Sequence, residues 1–248
     1  MERAVKYKKM LQRINWNVLG HRDYLRFAIV GNARTGSNYL LAGLNSSKHI
    51  KMHDEIFALH KRETGKDYDL IFSTLFRKEK KCIKAVGFKL FYYHLTTDEW
   101  NKFMLNRDFM IIHITRRNRL RTIVSLDIAH KTDQWSSSAG RTIEPMEKRI
   151  FIDTSKLIGR LEQIQNREAM TRNRLKDWQM LEVVYEDLVH NPLEVFQRAG
   201  AFLGTDGIDI QKIELTKQNP EKLETLIINY EEVYRWLKGT RFAEYLSD

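Results

Sequence analysis

The stretch from Arg26 to Leu44 constrains this chain more than any other. Phe27-Ala28-Ile29-Val30 is an apolar run of β type that breaks at Gly31. It passes through the polar Asn32-Ala33-Arg34-Thr35-Gly36-Ser37 and resumes from Asn38 to Leu44 with helical spacing. The order is strand, loop, helix. Gly36 lets the backbone approach a ligand closely, and the first amides of the predicted helix, which carry partial positive charge, face into the loop. Such a loop binds phosphate-like anions. Gly31 and Gly36 stand in G-x-x-x-x-G spacing, yet the next residue is Ser37, where a nucleotide triphosphatase needs lysine for the β and γ phosphates. The cation within the loop is Arg34, ahead of the second glycine. The pattern predicts an anion other than ATP·Mg.

Two further strands end in cations. Lys84 to Leu90 reads as a strand with Lys89 at its polar end, where ligands of α/β proteins sit. Phe109-Met110-Ile111-Ile112-His113-Ile114 is the most apolar strand, expected at the centre of a parallel sheet, with His113 a hydrogen-bonded core histidine. Thr115-Arg116-Arg117-Asn118-Arg119 follows, then a helical run through Leu120, Ile123, Val124 and Ile128. A triphosphatase carries a magnesium-binding aspartate in this region; arginines in its place argue for a metal-free anion site. The fold expected is α/β, a three-layer P-loop-type domain with a mainly parallel central sheet.

At 248 residues the chain fits a single domain over 1–248. An N-terminal helical extension is expected at 1–25 and a substrate loop at about 131–150. Met10, Leu11, Ile14 and Val18 predict a helix over Val5–Val18, and Lys61–Lys80 reads as a charged surface insertion. Thr96 to Glu99 has capping-box spacing, Asp153 caps a helix through Leu157, Leu161 and Ile164, and Met180–Tyr185 is a strand. Asn191-Pro192 opens a helix that Gly204 closes, and Asn219-Pro220 caps a last helix running to Lys238-Gly239. The one cysteine, Cys82, suits a reducing compartment and is expected buried or half-buried. Without an apolar span or a signal-peptide core the expectation is a soluble, cytoplasmic protein of undefined oligomeric state. The net charge of +10 is spread along the chain and meets no recognisable nucleic-acid motif, so an anionic ligand is preferred to nucleic acid.

Arg34-Thr35-Gly36-Ser37-Asn38-Tyr39-Leu40 resembles the R-[ST]-G-[ST]-x-x-L loop of sulfotransferases, which binds the 5′-phosphosulfate of 3′-phosphoadenosine 5′-phosphosulfate (PAPS). Arg117-Asn118 and Ser125 resemble the family's second motif, an arginine often in R-[ND]-P with a serine eight residues on, although Arg119 occupies the usual proline position. The segment Tyr185 to Gly204 is similar to the family's Y-E-D-L, P and F-L-G pattern, and Thr216–Leu246 to the end of bacterial members acting on carbohydrates and lipids. The resemblance covers about Phe27 to Leu246. It implies sulfuryl transfer from PAPS, without a metal, to the hydroxyl of a saccharide or glycolipid. It implies donor binding by Arg34, Thr35, Gly36, Ser37, Asn38, Arg117 and Ser125, with Lys217 a candidate to reach the donor against a reading as surface charge. Arg34 and Lys89 would balance charge on the transferring group. Glu55, in His53-Asp54-Glu55-Ile56-Phe57, matches the acid of an H-x-E-x-F stretch that serves as general base; His94, beyond the K-x-H spacing of phenol-type members, and His53 are its rivals. Two other readings stay open: a P-loop-like kinase of a small metabolite, and a non-catalytic anion- or nucleic-acid-binding domain.

Overall fold

The structure is a computed structural model that describes residues 20–58, 67–135, 143–213 and 218–247. The helix expected over Val5–Val18 and the candidate Lys217 lie outside the described residues. Strands β1 (Leu25–Gly31), β2 (Ile50–His53), β3 (Ala85–Phe91), β4 (Phe109–Thr115) and β5 (Met180–Val184) form one five-stranded parallel sheet in the order β2-β3-β1-β4-β5. The protein is therefore α/β with a parallel sheet, as the apolar runs predict. The middle position belongs to β1; β4, expected at the centre, lies beside it. Both are buried on two faces, which is why neither shows polar alternation.

The helices in chain order are α1 (Ser37–Ser46), α2 (Tyr68–Leu75), α3 (Thr97–Met104), α4 (Arg119–Thr132), α5 (Pro145–Lys148), α6 (Thr154–Arg174), α7 (Tyr185–His190), α8 (Pro192–Phe202), α9 (Leu223–Leu226) and α10 (Tyr230–Leu237). Successive residues of a strand face opposite sides, so Phe27 and Ile29 join Leu40 and Leu44 of α1 and Phe196 of α8 in one core. Ala28 and Val30 join Ile71 and Leu75 of α2 and Trp100 and Phe103 of α3 in a second. A third core is purely helical: Leu120, Ile123 and Val124 of α4 meet Leu157 and Leu161 of α6, Leu226 of α9, and Val233 and Leu237 of α10. Because α4 follows β4 directly, this third core stands off the carboxyl edge of the sheet.

Four local expectations are corrected. The charged region Lys61–Lys80 contains α2, whose Tyr68, Ile71 and Leu75 are core residues, so it is more than a surface insertion. The region around 131–150 is partly regular, since α4 continues to Thr132 and α5 spans Pro145–Lys148. The last helix is divided: Ile227 pairs with Ile150 as an isolated bridge, and Asn229 donates to Ile152 O and accepts from Ile152 N. Cys82 is exposed, in the turn ahead of β3. Among the described residues no helix is long and apolar enough to cross a membrane.

Candidate active site

A cavity of about 1070 Å³ opens between the carboxyl edge of the sheet and the third core. Its floor is the loop between β1 and α1. Gly36 adopts φ +84°, in the left-handed region, and a Cβ there would lie 2.4 Å from the Tyr185 ring. Only glycine fits without displacing that ring. Gly36 is the N-cap of α1 and supplies no side-chain cap, and among the described residues nothing accepts from the backbone N–H groups of Gly36, Ser37 and Asn38. Thr35 is buried, its hydroxyl donating 2.8 Å to Asn32 O, which closes the loop on itself. Free amides at a helix start form an anion cradle.

One side of the cavity is built around Arg34. Its guanidinium donates to Ser125 Oγ at 2.9 Å, to Trp135 O at 2.8 Å and to Gln218 Oε1. Burial, then the nearby Arg116, lowers Arg34 to about 10, which still leaves it charged at neutral pH. Ser125 Oγ also accepts from Asn219 Nδ2 at 3.1 Å. The 218–221 segment is held there from outside: Lys148 donates to Gln218 O and Glu221 Oε1, and Arg121 to Glu221 O. Asn219 therefore serves the cavity and caps no helix, so α9 begins only at Leu223.

The other side is built around Lys89, whose side chain is 1% exposed. Its ammonium group meets Asn38 Oδ1 at 2.5 Å, Asp54 Oδ1 at 2.8 Å and Glu55 Oε1 at 2.9 Å. The cation absent from position 37 thus reaches the start of α1 from the neighbouring strand. Glu55 Oε2 lies 3.7 Å from His94 Nε2. His94 Nδ1 accepts the Phe91 N–H at 3.1 Å, which assigns the ring proton to Nε2 and aims it at Glu55. His53 is elsewhere: it does not line the cavity, and burial, then Lys51 and Arg77, lowers it to about 4.

The sequence candidates divide accordingly. Arg34 and Ser125 are in direct contact, and Lys89, Asn38, Glu55 and His94 form a second group; Gly36 and Ser37 line the floor between them, with Thr35 buried beneath. Arg34 and Lys89, expected to act together, have separate sets of partners. Arg117 stands apart from both groups: its side chain is 60% exposed, it forms a two-pronged pair with Asp187 at 2.8 and 2.9 Å, and it does not line the cavity. Arg116 enters instead, with NH1 3.3 Å from Arg34 O and the guanidinium 4.4 Å above the Tyr185 ring. Neighbours at a strand end point to opposite sides, so one arginine of the pair faces in and the other out. Sequence reading also missed Tyr93, Gln163, Arg160 and Arg167; the last three share one face of α6. Their i, i+3, i+7 spacing was visible, but it could not say that this polar face lines a cavity. Among the described residues no group of His, Cys, Asp and Glu could hold a metal ion.

No family model and no curated protein matches this chain. Solved structures similar to it include a sulfotransferase from Alicyclobacillus acidocaldarius, at 17% identity and a TM-score of 0.47 over 90% of this chain and 94% of that one. Mouse sulfotransferase SULT7A1 complexed with PAP is similar at 15% identity and a TM-score of 0.46, over 80% of this chain and 65% of that one. Likeness at this level does not assign an activity; the residues of the cavity have to do that.

Proposed function

We propose that this chain transfers the sulfuryl group of PAPS to a hydroxyl, on a saccharide or glycolipid acceptor. The observation that carries the reading is Lys89, buried between Asn38 at the start of α1 and Glu55, so that anion cradle, cation and carboxylate converge. The free amides of Gly36, Ser37 and Asn38 suit the 5′-phosphosulfate, and the Arg34–Ser125–Asn219 cluster with Arg116 suits the donor's other phosphate. A cavity of about 1070 Å³ lies just above the range of ~300–1,000 Å³ usual for one small ligand, leaving room for donor and acceptor together.

In the reaction the acceptor oxygen attacks sulfur, the bond from sulfur to the bridging oxygen of the donor breaks, and 3′,5′-adenosine bisphosphate leaves. The acceptor proton passes to the Glu55 carboxylate. Lys89, 2.9 Å from Glu55 Oε1, orients the carboxylate and offsets the charge that grows on the bridging oxygen, while His94 Nε2 faces Glu55 Oε2 from 3.7 Å. The test is Glu55→Gln: turnover with PAPS should fall by about 10²- to 10⁴-fold, the usual loss for a general base. Calorimetric affinity for adenosine bisphosphate should persist, with or without EDTA. Strict magnesium dependence together with tight ATP binding would give the site to a kinase. If His94→Ala shows the turnover loss while Glu55→Gln remains active, the base is His94.

A further inference from the structure

Along α6, Arg160, Gln163, Ile164 and Arg167 recur at helical spacing and line one wall of the cavity. Seven residues of helix rise about 10 Å, so this wall runs the length of a sugar ring and beyond. Its two arginines differ. Arg160 is anchored to α4, donating to both carboxylate oxygens of Asp127 at 2.8 and 2.5 Å. Arg167 has no carboxylate, carbonyl or ring partner among the described residues. It belongs to the side of Tyr93 and Glu55: burial and then Glu55 push the Tyr93 hydroxyl up to about 12, and Arg167 acts against them.

We infer that Arg167 binds an anionic substituent of the acceptor, so that the preferred substrate is a hydroxyl compound also bearing a carboxylate, phosphate or sulfate group. This rests on the sulfuryl-transfer reading. A guanidinium cannot shed its proton to relieve partial burial, and its fork of donors matches a planar or tetrahedral oxyanion. The donor's anionic groups have their own partners in the loop amides, Arg34 and Arg116. Glu55, the one carboxylate among the described residues of the wall, already accepts from Lys89. What remains for Arg167 is a charge carried by the molecule whose hydroxyl approaches Glu55.

Matched probes test this. Phenyl β-glucuronide against phenyl β-glucoside, and a sugar 6-phosphate against its parent sugar, are compared as acceptors and, without donor, by thermal shift. The wild type should favour the anionic member of at least one pair, and which pair separates carboxylate from phosphate recognition. Arg167→Ala should cut the anionic-over-neutral ratio of kcat/KM by about 10- to 100-fold, the scale for a hydrogen bond between charged groups. Arg167→Lys should restore part of it. A wild-type preference for neutral members, or a ratio that Arg167→Ala leaves unmoved, overturns the inference. If adenosine bisphosphate fails to bind, the sulfuryl-transfer reading fails separately, and the thermal shift of the anionic probes still decides Arg167.

Discussion

At the scale of single residues, the chemistry of this cavity depends on which way a few side chains point, and the sequence reveals that unevenly. Gly36, Ser37 and Lys89 were picked out by their offsets from strand ends, where α/β topology collects ligands, and Glu55 by its resemblance to an H-x-E-x-F stretch. Arg116 was not. Arg116 and Arg117 are adjacent, and a one-residue difference in register exchanges the inward and outward member. Spacing chose Arg117; Asp187 and Glu186 hold its side chain and its backbone N–H outside. Tyr185 was expected to end the strand but opens α7, and its role as the ring that fills the space over Gly36 and under Arg116 was not foreseen. That stack makes a prediction. Gly36→Ala puts a methyl group where the ring lies and holds an L-residue at φ +84°. It should cost about 1–3 kcal/mol of stability in chemical denaturation. It should also weaken adenosine bisphosphate binding in calorimetry, because the amides of the cradle turn with the loop. A variant as stable as the wild type, with unchanged binding, would remove Gly36 from the argument.

Among the elements, the well-read ones are those whose signals are local. Thr96 and Glu99 form the capping box their spacing predicts: Thr96 Oγ1 accepts from Glu99 N at 3.2 Å, and Glu99 Oε2 from Thr96 N at 2.9 Å. Asp153 likewise caps α6 through Ser155 N. The poorly read ones answer to distant partners. The helix expected from Asn219 to Lys238 is broken because Asn219 is taken by Ser125, Ile227 by a bridge to Ile150, and Asn229 by Ile152. α2 was hidden because its three core residues stand within a run of charges, and burial against Phe57 and Phe88 outweighs that composition. Since the box of α3 acts locally and away from the cavity, Thr96→Ala should cost about 1 kcal/mol, read from the denaturant midpoint, with turnover unchanged. A loss of activity at full stability would mean that α3 communicates with the site.

Across the whole molecule, the site exists because two cores meet the same sheet edge, and a polar junction fixes how they meet. β4, β5 and α6 are tied together at His113, Glu182 and Arg172. His113 is fully buried, its Nε2 2.7 Å from Tyr92 OH and its Nδ1 3.0 Å from Glu182 Oε2, while Arg172 Nε donates 2.8 Å to Glu182 Oε1. A hydrogen-bonded His113 was expected; its acid was not, because Glu182 lies on another strand and only the β4–β5 register sets them side by side. Burial by itself would raise the Glu182 carboxyl, but hydrogen bonds from His113 and Arg172 and their charges outweigh it and hold the group at about 2, below its usual 4.5. Glu168, on the same helix as Arg172, moves the other way: burial raises it against the hydrogen bond from Arg119. A carboxyl whose folded pKa is depressed binds fewer protons folded than unfolded. The stability it contributes is complete above about pH 4.5 and is lost as pH falls from there towards 2. Glu168 gives the opposite slope, so the two are separated by substitution. Denaturation profiles between pH 7 and pH 3 should be flatter for Glu182→Gln than for the wild type and steeper for Glu168→Gln. An unaltered slope in Glu182→Gln would show that this junction does not control acid stability, and that the two cores are held in register by apolar packing alone.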